Sequence, residues 1–105
     1  MKKESVQEIQ NLVTQSSKVI VKIGATWCGP CKLLTPTLEQ LEQEFESVAF
    51  YDVALDTTED SIFCGEHYSK TIPFTLFFLN GERVHALSGD VPINRIRQDI
   101  EKHLA

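Results

Sequence analysis

Two cysteines separated by two residues, Cys28-Gly29-Pro30-Cys31, carry the most specific chemistry in this sequence. A thiolate rather than a thiol attacks a disulfide, and the unpaired amides and dipole of a helix N-terminus stabilise that negative charge. The spacing lets the second sulfur reach back across one helical turn, so the pair can open and close as a disulfide. Cys28, at the more exposed end, would attack a substrate disulfide. Cys31, one turn inside, would then attack Cys28 and release the reduced product. Pro30 fixes a helical φ between them and gives up an amide that has no acceptor in a first turn.

Other reactive residues are scattered. Cys64 is the odd thiol and reads as a buried core residue, the alternative being a thiol open to oxidation or glutathionylation. Cys28, Cys31, Cys64 and His67 together spell a possible zinc set, the rival reading of the chain as a structural metal module. That reading leaves Trp27 and Pro30 without a purpose, and no metal is expected. His67, His85 and His103 show no partner arrangement for nucleophilic catalysis and read as solvated or packed side chains. Glu39, Glu42, Glu44 and Glu46 read as the wet face of a helix.

The cysteine pair must be held by the elements around it. Val19 to Ile23 is a β-branched run ended by Gly24 and reads as a buried strand. After the cysteines, Leu34, Leu38, Leu41 and Phe45 form one helical stripe, with Pro36 inside it and therefore a kink expected. The motif sits at this strand-to-helix junction. Val6, Ile9, Leu12 and Val13 predict an earlier helix over about 4–16. Val48 to Leu55 predicts a second strand carrying one charge, and Thr57 or Thr58 could cap a short helix through about Tyr68. Phe74 to Leu79, the turn Asn80-Gly81 and Arg83 to Leu87 predict a hairpin. Pro92 opens a last helix marked by Ile93, Ile96, Ile100 and Leu104. Alternating strand and helix in front, with a hairpin behind, implies an α/β fold with a central mixed sheet flanked by helices on both faces.

A length of 105 residues suits one domain, and no linker divides it. Ten basic against fifteen acidic residues give a net charge of −5 with no basic cluster, which argues against nucleic acid or an anionic membrane surface as a partner. No apolar run approaches the ~20 residues of a membrane helix. The opening Met1-Lys2-Lys3-Glu4 is basic but lacks a following apolar stretch, so a cytoplasmic protein is expected. Three cysteines are too few for a disulfide-stapled scaffold.

On these residues the sequence resembles the thioredoxins. Trp27-Cys28-Gly29-Pro30-Cys31-Lys32 matches that family's active site residue for residue. Pro36 falls at its helix kink, Ile72-Pro73 at its cis-proline step, Asn80-Gly81-Glu82 at its terminal hairpin turn, and Gly89 at the glycine bordering its substrate groove. The resemblance implies a single thioredoxin domain over 1–105 that reduces disulfides in client proteins. It further implies no bound cofactor, with reducing equivalents from a thioredoxin reductase using NADPH, and a monomer is expected. The client would bind along Trp27, Gly29, Pro30, Ile72, Pro73 and Gly89, its backbone pairing beside the proline. An Ile72–Pro73 bond would be trans by default; the resemblance implies cis.

Several positions depart from that family. Gly24 stands where an aromatic residue is usual, Phe74 follows the proline where Thr is usual, and the segment from Tyr68 to Pro73 is one residue shorter. Gly24 reads either as loop punctuation and Phe74 as a strand residue facing the core, or both as marks of altered client choice, which keeps open a carrier dedicated to one client. A third reading, a non-catalytic binding module, is argued against by the complete cysteine motif. Lys22 is the least expected residue. The family usually has a buried Asp there, behind the second cysteine, and a Lys on the neighbouring strand, where this chain has Asp52. The expectation is an ion pair kept with its signs exchanged, favouring the thiolate form; the alternative is that Lys22 snorkels to water and Asp52 is unrelated.

Overall fold

The structure is a computed structural model and describes residues 1–25, 28–54 and 72–104. Its elements run β1 (Lys2–Lys3), α1 (Val6–Gln15), β2 (Lys18–Gly24), α2 (Gly29–Glu44), β3 (Ala49–Ala54), β4 (Phe74–Leu79), β5 (Glu82–Ser88) and α3 (Ile93–His103). Five strands form one mixed sheet in the order β1-β3-β2-β4-β5. β3 runs parallel to β1 and β2, whereas β4 pairs antiparallel with both β2 and β5. The expected short helix around Thr57, Thr58 and Tyr68 lies outside the described residues.

Strand alternation divides the core between the two faces of the sheet. Val19, Val21 and Ile23 of β2 point one way and pack with Val6, Ile9 and Val13 of α1. Ile20 points the other way and joins Leu34, Leu38 and Leu41 of α2 with Ile96 and Ile100 of α3. Helices therefore cover both faces. Burying these aliphatic side chains stabilises the domain by roughly 1.5–3 kcal/mol each, before chain entropy opposes it. By the same parity Lys22 belongs to the α2 face, as does Asp52 two residues after Phe50.

Local signals set the ends of the elements. Ser5 caps α1, its Oγ accepting the Glu8 N–H at 3.1 Å. Asn80 and Gly81 both take positive φ, 53° and 84°, as a two-residue hairpin turn requires. α2 begins at Gly29 and runs through Pro36, and Pro92 is the N-cap of α3.

Two features differ from the sequence reading. β1 was not expected: two lysines show no strand pattern, and their pairing with Tyr51 and Asp52 is made by backbone. In β5 the pairing steps from Phe77↔His85 to Phe78↔Arg83, so Val84 is an extra residue in a bulge. The bulge shifts the parity of the strand. Val84 is exposed, and His85 turns inward beside Phe77.

Candidate active site

Cys28 and Cys31 are joined as a disulfide at the N-terminus of α2. Cys28 is the N-cap residue, and its Sγ accepts the Cys31 N–H at 3.2 Å. The Cys28 N–H in turn donates to the Ala25 carbonyl at 3.2 Å, which ties the turn to the end of β2. Pro30 lies in the first turn, where its missing amide costs nothing, and both Gly29 and Pro30 are exposed. The expected contrast in exposure between the sulfurs is small: Cys28 is 5% and Cys31 2% exposed. Ala25 and Ile72 pack over the pair and cover Cys28 as well.

Ile72–Pro73 is a cis peptide. Ile72 packs against the Ala25, Cys28 and Cys31 cluster, which brings the proline turn to the cysteines. Gly89, at φ +82°, donates its N–H to the Pro73 carbonyl at 2.6 Å, so the third part of the expected client groove joins the same place. Trp27, also expected in this groove, lies outside the described residues. So do Cys64 and His67, and the two remaining members of the zinc set, Cys28 and Cys31, are engaged with each other as a disulfide.

Gly24 is no loop punctuation. It is the last residue of β2, and a Cβ at this position would stand 2.8 Å from Cys31 Sγ. The bare backbone here is what admits the buried sulfur. Phe74, the other departure, is a fully buried first residue of β4 in the α1-facing core.

Lys22 does not snorkel; it is 4% exposed. Its Nζ donates to Asp52 Oδ1 at 3.2 Å and to Thr35 Oγ1 at 2.8 Å. Thr35, one turn beyond Cys31 on α2, donates from the same hydroxyl to the Cys31 carbonyl at 3.3 Å. A polar chain thus runs from Asp52 through Lys22 and Thr35 to the backbone of the second cysteine. Thr35 was missed by the sequence reading; its i+4 spacing from Cys31 was the available signal. A cavity of about 550 Å³ opens beside this chain, lined by Gly24, Cys31, Thr35, Lys22 and Asp52 among others.

No helix among the described residues is long and apolar enough to cross a membrane. A family model described as Thioredoxin matches residues 1–102. The M-type chloroplastic thioredoxin of Spinacia oleracea is 36% identical over 97% of this chain, which spans 61% of that protein's length. A thioredoxin of Chlorobaculum thiosulfatiphilum is 32% identical over 93% of this chain and 91% of its own. Among solved structures, oxidised mitochondrial thioredoxin 3 of Saccharomyces cerevisiae superposes with a TM-score of 0.84 at 26% identity, covering 97% of this chain and 94% of that one. The chain belongs to the thioredoxin family of disulfide oxidoreductases and works by dithiol–disulfide exchange.

Proposed function

We propose that the protein reduces disulfides in client proteins with Cys28 as the attacking sulfur and Cys31 as the resolving one. The Cys31 N–H aimed at Cys28 Sγ is the observation that carries this reading: the same donor serves a Cys28 thiolate once the disulfide is open. That thiolate attacks one client sulfur, the client S–S bond breaks, and the other client sulfur leaves as a thiolate. The Cys31 thiolate then attacks Cys28 Sγ, the client sulfur leaves, and the Cys28–Cys31 disulfide forms. Two electrons pass to the client.

Lys22 and Asp52 act in support. Buried Lys22 favours a negative charge at Cys31, and Asp52 offsets part of that effect. The cavity beside them gives the Cys31 proton a route to solvent. Gly29, Pro30, Ile72, Pro73 and Gly89, with Trp27, form the surface that receives the client. The 105 residues act as one domain and a monomer, in the cytoplasm, recharged by a thioredoxin reductase using NADPH. Insulin reduction driven by dithiothreitol, then by a thioredoxin reductase with NADPH, tests the reading. Turnover in both arms is expected, and failure with dithiothreitol would refute it. Turnover with the chemical reductant but refusal by several reductases would instead favour a carrier dedicated to one client, which the departures at Gly24 and Phe74 keep in view.

A further inference from the structure

His85, Asp99 and His103 meet on the sheet face that carries α2 and α3. Asp99 and His103 stand four residues apart on α3, hence on one side of the helix. His85 reaches them from β5 because the bulge at Val84 turns it inward. His85 Nε2 is 2.9 Å from Asp99 Oδ2. The two imidazoles stack with centroids 4.1 Å apart and planes 12° apart. Phe77 sets its edge against both, at 5.1 and 6.5 Å, and closes the floor of the cluster. One donor atom from each of the three residues lies within 4.8 Å of the others. His85 and His103 are thus packed, as expected, and the packing gathers them into one polar cluster in which Asp99 is buried.

We propose that His85, Asp99 and His103 bind a divalent first-row transition ion of the zinc type, at a site that shares no residue with the cysteine pair. Two imidazoles and one carboxylate are borderline nitrogen and oxygen donors. They suit Zn²⁺, Ni²⁺ or Cu²⁺ rather than Ca²⁺ or Mg²⁺, which take oxygen ligands almost throughout. With metal–ligand bonds of about 2.0–2.1 Å, neighbouring donors on one ion stand about 3.0–3.4 Å apart. The 2.9 Å gap between His85 and Asp99 falls just short of this and needs only a few tenths of an ångström of opening. Closing the third ligand needs a shift of under about 2 Å at one ring, which unstacks the imidazoles. His103 closes α3 and is half-buried, so its ring has room to turn. Arg95 Nε also donates to Asp99 Oδ2, at 3.1 Å, and must swing away; its side chain is 57% exposed. Three protein donors leave the remaining coordination to water, so the site is open rather than closed. A bound ion ties β5 to the end of α3 and stabilises the folded state by mass action.

Calorimetric titration with ZnCl₂ tests this on the oxidised protein with Cys64 alkylated, so that no thiol competes for the ion. One ion per chain is expected. His85→Gln and His103→Gln should each weaken binding at least about tenfold, the scale on which losing even an outer partner of a metal ligand is felt. His67→Gln, which also removes an imidazole, should leave affinity unchanged. Absence of binding, or binding that survives either of the first two changes or is lost with His67→Gln, overturns the proposal. Imidazole NMR resonances of the unsubstituted protein give a second readout that needs no variant to fold. Zn²⁺ should shift those of His85 and His103 and leave those of His67 in place; the reverse pattern, or no shift, overturns the site equally.

Discussion

The Lys22 ammonium lies 3.2 Å from the Asp52 carboxylate, across two parallel strands whose register sets the residues side by side. The lysine is buried, whereas the aspartate is 17% exposed and borders the cavity. Taking the cation out of water is the costly part of this arrangement, and two oxygens offset it, one charged and one from the Thr35 hydroxyl.

That asymmetry sets the outcome of a double-mutant cycle. Asp52→Asn strands a buried cation and should cost about 3 kcal/mol, whereas Lys22→Met leaves a carboxylate that reaches water and should cost about 1–2 kcal/mol. The double variant should cost less than the sum by about 1 kcal/mol or more. Urea unfolding of the four proteins measures all three figures; additive losses would mean that the contact contributes nothing.

Gly24→Ala places a methyl carbon 2.8 Å from Cys31 Sγ, too close for the sulfur to stay where it is. Overpacking of this kind costs about 1–3 kcal/mol. Because the displaced atom is the redox sulfur, the dithiol–disulfide equilibrium should move along with stability. Redox titration against glutathione buffers is the measurement. An unchanged midpoint and unchanged stability would show that Cys31 yields at no cost.

The roles of the sulfurs separate under single substitution. Cys31→Ser should accumulate mixed disulfides with client proteins, because the resolving sulfur is absent, while Cys28→Ser should neither turn over nor trap. Non-reducing electrophoresis after incubation with oxidised insulin distinguishes the two. Equal trapping by both variants would reverse or remove the assignment.

The bulge in β5 predicts a sharp contrast within one strand. Val84 is 40% exposed and Leu87 is 8% exposed, although both are aliphatic. Val84→Thr should change stability by less than about 0.5 kcal/mol, whereas Leu87→Ala should cost about 2–5 kcal/mol. Thermal or urea unfolding compares them directly, and a large loss at Val84 would contradict the bulged register of β5 against β4.

The long periodic segments were legible in the sequence because their signals were local. β4 has the predicted bounds, α1, β3 and α3 lie close to theirs, and Asn80-Gly81 makes the predicted turn. α2 starts earlier than its leucine stripe, since the cysteines occupy its first turn and caps carry no hydrophobic period. What escaped depends on pairing between distant segments. β1 exists only because β3 offers an edge, and the inward turn of His85 depends on a bulge that no side-chain alternation encodes. At the site, the cysteine pair was readable from type and spacing. The contact of Lys22 with Asp52 is a consequence of strand register, and the role of Thr35 as the middle of that chain appears only once α2 is laid over β2.

Pro36 divides α2 into unequal parts. Lacking an amide hydrogen, it leaves the Lys32 carbonyl without its i+4 donor, and the ladder is interrupted just beyond the turn that carries the cysteines. Past that gap, Leu38 and Leu41 fasten the helix to the sheet. Before it, Leu34 is buried in the same core, and the first turn is tied down by the disulfide and the small cluster with Ala25 and Ile72. The helix therefore has a seam, and amide hydrogen exchange should fall into two classes on either side of it. Reduction of the pair should raise exchange in the first turn, and the segment beyond Pro36 should keep its protection.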